Sequence, residues 1–449
     1  MPSLELTATA MAAGGDAVAR DDQGRVVFVA GALPGEQVLA DLVDERRRFA
    51  RAVVTEVLEP APERSPAPCP YVAAGCGGCG WQHVALHEQR RLKAGIVAEA
   101  LARIGKVDGP DIEPGPDLAA LGYRTTVRAA VVDGRAGFRH RRSHDVVTVG
   151  GCLVAHPRVD EVLAEGRFGD ADEVVVRVGA ATGERLVLAR PTTFGVVVPD
   201  DVVLVGADEL AAGRRAWYHE EVAGRTWRIS ATSFFQARPD GAAALVEVVR
   251  AAALDHLDLD GFAEGGGAAG PRPVDGPRRL VDLYAGVGLF AGTVGESWAG
   301  PVLAVERDAA AAHDARHNLA DRRASAHRAH VVRADVSRWR SSPADVVIAD
   351  PARAGLGAVG TERIAATGAR LVVVLSCDAA ALGRDAGLLA GHGYRLARVT
   401  MVDLFAHTAH VEVVSCFVKA RSSSIGDAGS RRPRTSGPGP RSVGSAPSP

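Results

Sequence analysis

From residue 4 to about 59 apolar positions alternate with polar ones, in runs such as 17–19 (AVA), 26–30 (VVFVA), 37–43 (QVLADLV) and 52–58 (AVVTEVL). Turns at 22–24 (DQG) and 33–35 (LPG) separate them. A period of two marks strands with one buried face, and short strands joined by Gly- and Pro-bearing turns predict a small closed β-barrel. Residues 60–68 (PAPERSPAP) predict an extended linker. Helical spacing over 83–104 is followed by β-rich sequence to about 230, and Pro239 opens a helix predicted to run to about 254. Residues 261–277 are too poor in hydrophobes to be more than a loop. Beyond 279 strands alternate with helices, the signature of a doubly wound sheet. Within that region residues 371–378 (LVVVLSCD) run apolar throughout and stop at a serine, a cysteine and an acid. A strand covered on both faces delivers Cys377 to the sheet edge where α/β proteins place their ligands.

The expected architecture is therefore multidomain. An OB-like β-barrel occupies residues 1–60, and a central β-rich α+β domain with a cysteine cluster occupies 61–230. A C-terminal α/β Rossmann-like domain follows over 231–420, and a disordered tail over 421–449. A chain of 449 residues is long enough for this. With 47% hydrophobic and 24% charged residues and no run long enough to span a bilayer, the chain reads as globular, with no membrane partner. Residues 1–6 (MPSLEL) lack a basic stretch leading into an apolar core, so a cytoplasmic protein is expected. The net charge of −2 excludes a globally basic nucleic-acid binder, yet five arginines against one aspartate make the tail basic. Arg46, Arg47, Arg48 and Arg51, and Arg139, Arg141 and Arg142 around His140, are candidate phosphate contacts.

Three of the six cysteines, Cys69, Cys76 and Cys79, fall within eleven residues, with glycines between them that let the backbone wrap closely. In a cytosolic chain this favours metal over disulfides. Cys152 is the natural fourth ligand, and four sulfurs suit either zinc or an iron–sulfur cluster.

Residues 279–290 (RLVDLYAGVGLF) carry a strand into a Gly-x-Gly turn, Gly286 and Gly288, and then a helix. A second strand ends at Glu306, placed for ribose hydroxyls, and a third near Asp335, placed for an adenine amine. With no third glycine and with Asp282 in the strand, a cationic ligand is more welcome than a pyrophosphate, which favours S-adenosylmethionine over NAD. The fourth strand brings Asp350 and Arg353 to the same edge. Glu412 interrupts an apolar run, where an ionised carboxyl is costly unless it has work to do.

Together these phrases resemble the RNA uracil-5-methyltransferases, in the branch with a TRAM barrel and a 4Fe-4S cluster. The resemblance spans residues 4 to 420. It rests on 14–20 (GGDAVAR), 31–36 (GALPGE), 234–236 (FFQ), 282–288 (DLYAGVG), 350–355 (DPARAG), 376–378 (SCD) and 407–412 (HTAHVE). It implies a class I methyltransferase domain, with Cys377 as the nucleophile and Glu412 as the base. Gln236, Tyr284, Gly286, Gly288, Glu306, Asp335 and Asp350 would lie at the S-adenosylmethionine and target site. Cys69, Cys76, Cys79 and Cys152 would hold a 4Fe-4S cluster rather than zinc. The expected partner is RNA, ribosomal before transfer RNA, and the expected state a monomer. Arg238 stands where the family often has asparagine. A non-catalytic RNA-binding protein that kept this fold is the rival reading, and the joint presence of Cys377 and Glu412 counts against it.

Overall fold

The computed structural model describes residues 3–259, 279–298, 300–321, 329–420 and 444. Met1–Lys419 form one compact unit. Of a second, Ala420–Pro449, only Ala420 and Gly444 are described, so the expected loop at 261–277 and the expected tail lie outside the described residues.

The alternating N-terminal segment forms a six-stranded sheet in the order Ser3–Thr7, Gln37–Glu45, Phe49–Glu59, Val26–Ala30, Ala17–Arg20, Ala10–Met11. Ser3–Thr7 also meets Ala17–Arg20, so the sheet curls over a shared interior. Every second residue points into it: Ala17 and Ala19, Val27 and Val29, Val38 and Ala40, Ala50 and Ala52 are buried. The segment at 60–68 is not a free linker. Arg64 reaches back to buried Glu36 through two nitrogens, at 2.6 and 2.7 Å, and also donates to the Gly31 carbonyl. Ser65 N–H donates to His83 O, and Ala85 N–H to Glu63 O. The prolines set the extended backbone, but the buried ion pair fixes where it goes.

A second six-stranded sheet, in the order Val146–Thr148, Arg135–Arg139, Thr126–Val132, Glu173–Val178, Arg185–Arg190, Val202–Gly206, packs helix Pro157–Glu165 over its own core of Val127, Val159, Val162, Phe168 and Val176. The third sheet has eight strands, in the order Ala329–Arg333, Val302–Glu306, Leu280–Leu283, Val346–Ala349, Leu371–Ser376, Val413–Lys419, Tyr394–Met401, Glu113–Pro114. The first five are parallel, and Val413–Lys419 then enters antiparallel. From Leu280–Leu283 the chain first winds one way to Ala329–Arg333 and then returns to the other side at Val346–Ala349. That reversal opens a crevice beyond the carboxyl ends of the strands.

The apolar run at 371–376 serves both faces of this sheet. Leu371, Val373 and Leu375 join the core beneath helix Pro239–Leu259. Val372 and Val374 join a core shared with helix Leu86–Arg103 and the N-terminal sheet. Each fully buried Val or Leu is worth about 1.5–3 kcal/mol, enough to hold the end of this strand rigidly. The apolar interior thus runs without a break from the N-terminal sheet into the eight-stranded one.

Candidate active site

The strand Leu280–Leu283 ends at Tyr284, which adopts a left-handed φ of 60°, followed by Gly286 at 55° and Gly288 at 93°. A non-glycine residue in this region costs on the order of 1–2 kcal/mol and such residues gather at ligand sites. A Cβ on Gly286 would meet nothing, so the backbone there faces open space. Asp282 lies beneath the turn. One oxygen accepts from Ala291 N–H at 2.8 Å at the start of the next helix, while the other has no partner. Burial pushes its carboxyl up to about 8, against the Ala291 N–H and with the charges of Asp350 and Glu306.

Glu306, at the end of the neighbouring strand, accepts from Gly286 N–H at 2.9 Å and Asp308 N–H at 2.6 Å. It fastens the glycine turn, and each oxygen keeps a second lone pair for a ligand hydroxyl. Asp335 follows the third strand, joined to the second by Ala334 N–H to Glu306 O, with one oxygen held by the Ser337 hydroxyl at 2.6 Å and N–H at 2.9 Å. Those donors hold its carboxyl below the usual range. Gln236 is buried in the loop after strand Arg225–Ser230, and among the described residues no hydrogen bond joins it to the glycine turn.

Cys377 and Glu412 arrive from adjacent antiparallel strands. The last register pair is Ser376 with Val413, so one step further sets Cys377 beside Glu412. Cys377 is half-buried and opens into a pocket of about 190 Å³ whose lining includes Arg353, Asp378, His410, Gly14 and Ala13. Burial pushes its thiol up to about 11, aided by Glu412 and Asp350 and opposed by the Arg353 guanidinium. Burial pushes Asp350 up to about 7. Glu412 is 3% exposed, and burial together with the Asp350 charge holds it well above the usual carboxylate range. Among the described residues nothing donates a hydrogen bond to either carboxylate. Burial holds the His410 imidazole down at about 4, so it is neutral at pH 7.

The loop leading to Glu412 is anchored by helix Leu86–Arg103. Gln89 and Lys93, four apart on helix Leu86–Arg103, share its inward side. Lys93 Nζ donates to Asp403 at 2.6 Å and to the Phe405 carbonyl at 3.0 Å. Gln89 Oε1 accepts from His407 N–H at 2.6 Å, and Trp81 N–H donates to His407 O at 2.9 Å. These anchors were invisible in the sequence, because a polar residue on a helix face normally reads as solvated. Arg238 is another such anchor: fully buried, it stacks on Tyr123 at 4.2 Å and binds Asp240, the Leu404 carbonyl and the Ala119 carbonyl. It braces loops rather than a ligand.

Cys69, Cys76 and Cys79 lie on the loop at 69–79, and Cys152 lies near enough for its charge to act on Cys79 and for that of Cys76 to act on it. Cys76 senses the charge of Cys69, Cys79 that of Cys152 and Cys76, and Cys152 that of Cys76. Burial raises the thiols of Cys76, Cys79 and Cys152, opposed by the nearby N–H of Gly78 at Cys76, the Gln82 side chain at Cys79, and the N–H groups of Val154 and Ala155 at Cys152. Among the described residues no three side chains of His, Cys, Asp or Glu stand close enough to hold a metal ion between them. Cys416 is buried in the core, as its apolar strand predicts.

An open sheet with a glycine turn and acids at successive strand ends, with a thiol across the rim, is the architecture in which α/β enzymes hold nucleoside-bearing ligands. The chain belongs to the RNA methyltransferase family. An uncharacterized RNA methyltransferase of Streptomyces avermitilis is 36% identical to it over 90% of this chain and 95% of that protein. The 23S rRNA (uracil(1939)-C(5))-methyltransferase RlmD of Pectobacterium atrosepticum is 30% identical over 93% and 94%. The crystal structure of Pyrococcus abyssi tRNA (uracil-54, C5)-methyltransferase in complex with S-adenosyl-L-homocysteine shares the fold, with a TM-score of 0.67, 21% identity, and coverage of 92% of this chain and 99% of that one. No protein-family model matches the chain.

Proposed function

We propose that this enzyme methylates carbon 5 of a uridine in structured RNA, ribosomal RNA first, through a covalent adduct on Cys377. The observation that carries the proposal is the nearness of Glu412 to Cys377, each one residue beyond the last register pair Ser376 with Val413 and close enough for the Glu412 charge to act on the thiol. Carbon 5 of uracil is a weak nucleophile. Addition of the Cys377 thiolate to carbon 6 moves the ring electrons onto carbon 5 and the carbonyl at carbon 4. Bound S-adenosylmethionine supplies the electrophilic methyl group that carbon 5 accepts. Glu412 then takes the carbon 5 proton, the double bond re-forms, and the thiolate leaves. The Arg353 charge favours the thiolate against the burial that opposes it. A uracil inside a helix cannot reach this pocket, so the nucleotide must be flipped out.

The rim fits the donor chemically. Asp282, Glu306 and Asp350 form an acidic crescent beside the open Gly286 backbone, suited to a sulfonium cation and a ribose. Tyr284, Gly288, Asp335 and Gln236 complete the expected set. The cysteine quartet is assigned a 4Fe-4S cluster. A single zinc at about 2.3 Å from each sulfur would draw all four thiolates tightly together, whereas a cluster spreads its ligands over several irons. Its role is structural, since methyl transfer moves no electron. The N-terminal sheet is assigned the RNA-binding part of a TRAM barrel, and residues 61–230 and 231–420 the cluster and methyltransferase domains. The protein is assigned to the cytoplasm and to action as a monomer.

The test is incubation with methyl-labelled S-adenosylmethionine and 23S rRNA or tRNA, followed by nuclease digestion and mass mapping. The expected product is 5-methyluridine in the ribosomal RNA. Label on another base or atom would overturn the chemistry, and label in tRNA alone would overturn the substrate. Iron and acid-labile sulfide in anaerobically isolated protein support the cluster; colourless protein with stoichiometric zinc overturns it.

A further inference from the structure

Two of the arginine groups that the sequence offers as phosphate contacts converge on one carboxylate. Asp16, whose side chain is only 3% exposed, is met by Arg51 at 3.1 Å, Arg141 at 2.6 Å and Arg142 at 2.8 Å. Arg51 comes from the N-terminal sheet, where it lies over the rings of Phe28 and Phe49 at 5.3 and 5.7 Å. Arg141 and Arg142 come from the turn joining Arg135–Arg139 to Val146–Thr148 in the central sheet, where Arg142 holds a left-handed φ of 58°. Fastening the two sheets needs one ion pair. Three cations on one anion leave a surplus of positive charge, and the guanidinium-bearing side chains keep 31%, 36% and 48% of their surface exposed.

The same loop reaches the reaction site. Gly14 and Ala13, just before Asp16, line the pocket that exposes Cys377. Gly15 has a φ of 81°, its carbonyl accepts from Trp81 Nε1 at 2.9 Å, and a Cβ there would overlap Ala409 at 2.5 Å, in the loop that carries Glu412. Arg141 also approaches the Gly14 carbonyl at 3.4 Å. The cations are therefore tied by a short, closely packed segment to the mouth of the pocket.

We infer that Arg51, Arg141 and Arg142, gathered by Asp16, form a binding site for RNA phosphodiester groups next to the nucleotide that enters the Cys377 pocket. Guanidinium forks match phosphate oxygens, and a carboxylate behind them holds the forks in place before RNA arrives, which lowers the ordering cost of binding. This rests on the RNA methyltransferase reading only in taking RNA as the ligand.

The experiment measures binding of a fluorescein-labelled RNA hairpin with a loop uridine, by anisotropy across a salt series, to the full chain. Arg141→Gln with Arg142→Gln is expected to flatten the log affinity against log salt slope by about 1.4, two single-strand phosphate contacts at about 0.7 each. It should also raise the KM for RNA far more than it lowers kcat. Arg141→Lys with Arg142→Lys is expected to restore the slope. An unchanged slope in the glutamine pair, with a melting curve like wild type, overturns the inference, as does an equal loss in both pairs. Wild-type protein that shows the arginine-dependent slope but makes no 5-methyluridine would sink the proposed reaction and leave this site standing.

Discussion

Two buried glutamates in this protein live by opposite rules. Glu36 is 0% exposed and Glu412 3%. Burial raises the carboxyl of Glu36, but Arg64 and the N–H groups of Leu33 and Ala61 more than reverse this and hold it below the usual range. Burial also raises Glu412, and the neighbouring Asp350 charge pushes it further in the same direction. One carboxylate is fully paired and serves as a fastener between sheet and connecting segment. The other is kept short of partners, which is unfavourable for folding and useful for moving a proton. Buried charge marks function where its partners are missing, not where it is merely buried.

The sharpest break of that contrast is at the rim itself. Cys377→Ala is expected to lower methyl transfer by on the order of 10⁴-fold or more, measured in single turnover with excess enzyme; retained activity would end the covalent route. Glu412→Gln should slow product release by about 10²–10⁴-fold while letting the adduct form, so denaturing gels should show RNA covalently bound to the chain. A slow variant with no adduct would remove Glu412 from the role of base.

Glu36→Gln probes the other side. Loss of the charge opposite Arg64 should cost about 2 kcal/mol of stability at pH 7, on the low side because Arg64 still touches solvent, with little effect on the chemistry at the rim. Because the folded carboxyl titrates below its unfolded value of about 4.5, its contribution is present above that pH and is lost as pH falls through the folded value. The gap between wild type and variant should therefore close in acid, and a gap that does not vary with pH would mean the charge is not what stabilises.

The smallest effect is a proton count. With Asp282 near 8 and Asp350 near 7 in the ligand-free site, Asp282 is mostly protonated and Asp350 about half protonated at pH 7. A sulfonium cation lowers both values, so S-adenosylmethionine should release a fraction of a proton up to about one, visible by calorimetry in buffers of different ionisation enthalpy. S-adenosylhomocysteine, with a neutral sulfur, should release less. Equal release would place the acids away from the sulfur.

The sequence by itself marked the five parallel strands of the eight-stranded sheet, because apolar runs such as 371–376 and the glycine turn at 286–288 are local patterns with local causes, whereas the edge strand Glu113–Pro114 carries no such pattern. It also marked Cys377 and Glu412, since a thiol at a strand end and an acid in an apolar run are each anomalous where they stand. It marked residues 60–68 as an extended linker but could not say whether that linker is free or pinned, since the proline-rich spelling is the same for both and only the distant Glu36 distinguishes them. Tertiary structure alone decided what the polar residues of helix Leu86–Arg103 and the arginines at 51, 141 and 142 do. Their partners, Asp403, His407 and Asp16, lie far off along the chain or on another sheet. A side chain's charge is written in the sequence, whereas the desolvation and pairing that give that charge its energy depend on what the fold brings beside it.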